Sequence, residues 1–240
     1  MLRLAALLLA LALPTAASAE WRDAETPHFR IFSDGGDQRL VSFAERLEML
    51  DALLRKATGT AADLPPTKVR IILLDSVAQV RQAYRGNRPD LLGFYSVNMY
   101  GPFAVAPRRD SEGGVSLAEI VLFHEYAHHF MLEYSPASYP AWYVLGFAEI
   151  AATAATMSGG KTAWGKPAEI RQYSLTRSRW VPVHQLLGHD FDSFPKDGDF
   201  YGQSWLLAHY LTFSEARVGQ LRRYLTLLGG GRPQAEAALE

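Results

Sequence analysis

Apolar and polar residues alternate through HFRIFS, residues 28 to 33, and Gly35-Gly36 follow, a pattern that predicts a strand closed by a turn. From Asp37 to Lys56 the period changes. Leu40, Phe43, Leu47, Leu50 and Leu54 recur at spacings of three and four, so one apolar stripe runs along a helix that Gly59 stops. Pro65-Pro66 break the chain before KVRIILLD, whose β-branched run predicts a buried strand, and SVAQVRQAYR after it predicts a short helix. LLGFYSVNMYGPFAVAP gives two strand pieces hinged near Gly101-Pro102. Beyond Ser116 the periodicity is helical, with helices expected near 117–134, 140–157, 200–213 and 215–228. The expected class is α+β, with an N-terminal mixed sheet and a mostly helical C-terminal half forming a single domain over residues 20–240.

The segment before residue 20 has a different character. Arg3, the apolar run Leu4 to Leu13 and Ala17-Ser18-Ala19 form the three regions of a secretory signal peptide, residues 1–19, with cleavage expected before Glu20. The apolar run is about half of what a bilayer core requires, so no stable membrane span is expected once it is removed. Export to the periplasm or the medium follows. With 24 Lys+Arg against 25 Asp+Glu there is no basic field to hold nucleic acid. Without cysteine, a metal would have to sit on histidine and carboxylate.

His124-Glu125-Tyr126-Ala127-His128 forms HExxH inside a predicted helix, which Ser116-Leu117-Ala118-Glu119 opens in the S-x-x-E form of a capping box. Residues i and i+4 share a helix face, so two imidazoles can grip one cation while Glu125 projects beside them. His129 points about 100° away from His128 and is expected to be a neighbour rather than a ligand. A third ligand is needed, and Glu149 lies on what reads as the next helix.

HEYAHH followed by YPAWYVLGFAE resembles the gluzincin metallopeptidases, especially exported bacterial peptidase-like proteins whose second motif runs P-x-W-x-x-E-G-x-A-E. The resemblance spans roughly residues 21 to 228 and includes YGQSWLLAHYL near the end. It implies a zincin-like fold, Zn2+ as cofactor and a peptide or protein as substrate. It also implies His124 and His128 as metal ligands and Glu125 as general base. Glu149 matches an acid that partners the first histidine from behind. The family's third ligand, the glutamate before the glycine, is here Leu145. Two arrangements remain open. Glu149, one turn along the same helix, joins His124 and His128 on the metal, or the site is two histidines and solvent, with His184, His189 or Asp190 as a further source of the missing ligand.

Tyr201 and Tyr210, with His209 between them, could stabilise an oxyanion or could simply pack in the core. The Gly101–Pro107 strand is expected to offer an edge to an extended peptide. The resembling proteins continue beyond the position of Glu240, so a shortened relative is expected. Its alternative role is a non-catalytic binding or scaffold domain.

Overall fold

The computed structural model describes residues 21–33, 37–61, 63, 65, 67–89, 91–108, 117–135, 139–166, 169–177, 180–188 and 198–240. The signal segment, Gly35-Gly36, Ser116, His189 and Asp190 lie outside them.

Alternation of side chains builds the sheet. A short strand absent from the sequence expectation, β1 (Arg22–Glu25), pairs antiparallel with β2 (Phe29–Ser33), in which Phe29, Ile31 and Ser33 are buried and Arg30 is exposed. Helix α1 (Asp37–Thr58) then crosses to β3 (Val69–Leu74), parallel to β2, with Val69, Ile71 and Leu73 facing the core. All five apolar positions of the α1 stripe, Leu40, Phe43, Leu47, Leu50 and Leu54, are buried against the sheet. After α2 (Val77–Ala83) the chain forms the hairpin of β4 (Phe94–Asn98) and β5 (Gly101–Pro107). Gly101 carries a φ of 100° at the start of β5, a backbone conformation that side chains disfavour.

The sheet order is β1-β2-β3-β5-β4. This corrects the expectation that Gly101–Pro107 is a free edge. The hairpin folds β4 back onto β5, whose other side pairs parallel with β3, so β4 is the edge on that flank.

Helix α3 (Leu117–Tyr134) lies against β4, β5 and α1 and carries HExxH. Helix α4 (Ala141–Ala151) packs on α3 and is buried along its whole length. It ends short of the expected residue 157 because β6 (Ala155–Thr156) and β7 (Thr162–Ala163) form a small hairpin, turned by Gly159 and Gly160 at positive φ. Helices α5 (Glu169–Arg177) and α6 (Val183–Gly188) were not anticipated, their sequences being too polar and short to show a stripe.

Helix α7 (Gly198–Phe213) packs on both α4 and α5. The crossing of α4 and α7 is close because Gly146 has no side chain. A Cβ there would sit 2.6 Å from that of Ala208 and nearer still to the carbonyl oxygen of Ser204. The helix expected over 215–228 is instead a 3-10 turn, Glu215–Arg217, and α8 (Gln220–Gly229), divided by Gly219 at a φ of 84°. A last turn, α9 (Gln234–Ala237), follows Pro233. Among the described residues no helix is long and apolar enough to cross a membrane.

Candidate metal centre

One side of α3 is buried and the adjoining side is half open. Leu122, Phe123, Tyr126, Ala127 and Phe130 are buried, whereas His124, Glu125 and His128 are only partly so. With about 100° per residue, positions 124, 125 and 128 form one continuous patch. The two imidazoles converge, with Nε2 of His124 and Nε2 of His128 3.0 Å apart. Two nitrogen ligands about 2.05 Å from a tetrahedral zinc lie about 3.3 Å from each other. The pair therefore already stands close to the separation that one cation requires.

Charge around the pair is arranged from behind. Oε1 of Glu149, on α4, lies 3.3 Å from Nδ1 of His124 and accepts a hydrogen bond of 2.7 Å from Nη2 of Arg171, on α5. Burial pushes the Glu149 carboxyl up. The hydrogen bonds and charges of His124 and Arg171 outweigh it and hold the group down at about 2, so Glu149 is ionised. Burial likewise opposes the charge of His124, but the hydrogen bond and charge of Glu149, with Glu125 adding to them, raise its pKa. His128 moves the other way, down to about 3, through burial and then the neighbouring His124. His128 is thus neutral, and one of the two facing Nε2 atoms carries the proton of their contact. A metal cation between the two nitrogens would replace that proton.

This geometry assigns Glu149 a position different from that of a metal ligand. It holds Nδ1 of His124 while Nε2 faces His128, and a carboxylate on the outer nitrogen fixes the ring's orientation and tautomer. Leu145, where the sequence resemblance would place a ligand glutamate, is 2% exposed and belongs to the hydrophobic core. Among the described residues no third His, Asp or Glu brings a donor atom within 4.8 Å of both histidine nitrogens. His184, exposed on α6, is therefore not that ligand.

Glu125 is the remaining acid of the patch. Burial raises its pKa, against the pull of His124 and a hydrogen bond from the backbone N–H of Tyr95 on β4. Tyr95 also binds α3 through its side chain, its hydroxyl lying 2.9 Å from Nδ1 of His129. Burial depresses the His129 pKa to about 4, so the ring is neutral in this contact. His129 is turned into this contact, away from the His124–His128 pair.

Tyr201 is brought to the histidines and Tyr210 is not. The ring of Tyr201 lies 6.2 Å from that of His124, and the Arg171 guanidinium stacks 4.7 Å above it. Tyr210 follows about 13 Å further along α7 by helical rise. It is exposed, and its hydroxyl accepts a hydrogen bond of 2.9 Å from Nε of Arg217. His209 packs between Trp205 and Phe213. The contributions of Tyr95 and Arg171 were not legible in the sequence, since neither belongs to a motif.

A second cluster, which the sequence did not suggest, has donor atoms close enough in principle for a cation. His28, Glu48 and Asp51 offer donors mutually within 4.8 Å. Their oxygens are, however, already engaged. Glu48 accepts from the backbone N–H of His28 at 2.9 Å and lies 2.7 Å from its Nδ1, while Asp51 accepts from Nε of Arg55 at 2.7 Å and from the Tyr126 hydroxyl. Nε2 of His28 lies 3.4 Å from Asp51 without a hydrogen bond to it, so the ring stands between the two carboxylates. The cluster reads best as a charge network that ties β2 to α1 and α1 to the HExxH helix through Tyr126.

Asp51→Ala leaves Arg55 and Tyr126 without their shared buried partner, and a loss of about 3–5 kcal/mol in urea unfolding is expected. A loss below about 1 kcal/mol would show that the network does not hold α1 to α3.

Compared with models of known protein families and with curated proteins, the chain matches none.

Proposed function

We propose that the protein is an exported, zinc-dependent hydrolase of peptide bonds with a zincin-like fold of the gluzincin kind. The observation that supports this most is the convergence of His124 and His128 at 3.0 Å on the half-open face that also bears Glu125.

A zinc ion there would supply a Lewis acid that polarises the scissile carbonyl and eases deprotonation of water. His124 and His128 would hold it, and Glu149, steadied by Arg171, keeps the His124 ring turned toward it. Glu125 takes the proton of the attacking water and passes it to the departing amine. Burial suits it to that role by making its carboxylate a stronger base than an exposed one. Strand β4 is an edge of the sheet and packs beside α3, which offers an extended peptide a place to add as a further strand.

The purified protein is expected to cleave unstructured peptides, to stop on treatment with a chelator and to recover when zinc is returned. Hydrolysis that persists after complete metal removal would contradict the proposal. A second reading, a metal-binding domain without turnover, is favoured by one observation, the buried Leu145 where a ligand glutamate would be. It predicts bound zinc and no cleavage in the same assay.

A further inference from the structure

The edge of the sheet and the HExxH helix run side by side in a fixed register. A Cβ added at Gly93, just before β4, would strike Cγ1 of Val121, and two residues further on the backbone N–H of Tyr95 meets the Glu125 carboxylate while its hydroxyl reaches His129. Two strand residues advance about 6.6 Å and four helix residues about 6 Å. Continued at that pace, the register sets Val97 level with His129 and Asn98 level with Leu132. Around the helix Leu132 falls between His128 and Glu125, about 40° from the first and about 20° from the second. Leu132 is 72% exposed and Val97 63%, so two apolar side chains stand in solvent just past the histidine pair.

Pairing within the hairpin decides which backbone groups the edge offers. Asn98 closes the turn opposite Gly101, so residues 94, 96 and 98 direct their N–H and C=O to β5, and Tyr95 and Val97 direct theirs outward. Two observations agree with this. Val97 stands opposite Pro102, which has no N–H to give, and the outward N–H of Tyr95 is the one that Glu125 accepts. Glu125 therefore occupies the edge at Tyr95. Val97 holds the next outward pair, which among the described residues no protein group takes up.

We propose that Val97 and Leu132 form a specificity subsite, where an extended peptide pairs its backbone with Val97 and lays an apolar side chain over Leu132. The assignment deepens the reading of the HExxH patch as a peptidase site and rests on it. Tyr95 and Val97 share the face of β4 that turns to α3. A peptide residue that exchanges both hydrogen bonds with Val97 carries its side chain on that same face, because cross-strand neighbours do, and the side chain comes down between Val97 and Leu132. A hydrocarbon group there removes apolar surface from water, whereas a charged one gives up hydration with neither Val97 nor Leu132 able to replace it. The peptide residue two positions away passes Glu125 and the histidines. The bond cut therefore lies within about two residues of an apolar side chain, always on the same side of it.

A library of unstructured peptides is digested with the zinc-loaded wild type, Val97→Pro and Leu132→Asp, and the cut sites are read by mass spectrometry. Binding of a fluorescent peptide with an apolar side chain at the favoured position is followed by anisotropy after the metal is chelated. The wild type is expected to require an apolar residue at one fixed distance from the cut. Leu132→Asp is expected to lower kcat/KM for such peptides by at least about tenfold and to move the preference at that position to Lys or Arg. Val97→Pro, which removes one outward N–H and leaves the pairing with β5 intact, is expected to lose roughly tenfold in kcat/KM with zinc affinity unchanged. Leu132 is exposed, so its variant decides the matter even if Val97→Pro folds poorly. Cleavage by the wild type with no such positional preference, or with a preference that Leu132→Asp leaves as it was, overturns the subsite while the peptidase reading stands. Peptide binding that depends on Leu132, without cleavage by the zinc-loaded protein, keeps the subsite and overturns the hydrolase. With neither binding nor cleavage, both fall.

Discussion

Glu125→Gln is expected to lower peptide hydrolysis by about 10²–10⁴-fold while leaving zinc affinity within a few-fold of the wild type. The two readouts part because Glu125 shares the half-open patch with His124 and His128 but is not in position to join them on the ion. Glutamine keeps the shape and loses the proton acceptor. Single-turnover cleavage of a quenched peptide, with zinc binding followed on the same samples, measures both. Unchanged cleavage would move the general base elsewhere. A parallel collapse of zinc affinity would instead make Glu125 a ligand.

The second large effect is expected at position 145. Leu145 is 2% exposed in the core, and a glutamate placed there without metal is a buried, unpaired acid, with an expected cost of about 3 kcal/mol or more. It is also the carboxylate that the resembling metallopeptidases use as a ligand, one turn before the Glu149 position. Zinc should therefore bind Leu145→Glu at least about tenfold more tightly than the wild type and should restore its stability, since a ligand that binds only the folded state stabilises it by mass action. Thermal unfolding with and without zinc tests this. A variant destabilised to the same extent with and without the ion would show that position 145 does not face the metal.

Much of the fold was legible because burial is periodic. The α1 stripe is readable from spacing alone, and all its members are buried. The strands Phe29–Ser33 and Val69–Leu74 declare themselves by alternation and β-branching. What escaped was set by partners distant in sequence. Strand β1, RDAE, has no apolar pattern and exists because it can pair with β2. The location of the sheet edge depended on where the β4–β5 hairpin docked, which no local pattern encodes.

The candidate site divides in the same way. Positions 124, 125 and 128 come together by helical geometry, so their proximity could be read from spacing. Which nitrogen of His124 Glu149 would meet could not, because it depends on the angle at which α4 crosses α3. Arg171 was invisible for a similar reason. Its segment, EIRQYSLTR, carries no motif, and only the packing of α5 against α7 sets the guanidinium between Glu149 and Tyr201. His28, Glu48 and Asp51 are near one another only because β2 is laid beside α1.

The most direct test of the metal centre is anomalous diffraction at the zinc edge from crystals grown with one equivalent of zinc. The account predicts a single strong peak within coordinating distance of Nε2 of both His124 and His128, with Glu149 still on Nδ1 of His124. A peak at His28, Glu48 and Asp51 in its place, or no peak at the HExxH helix, would contradict it.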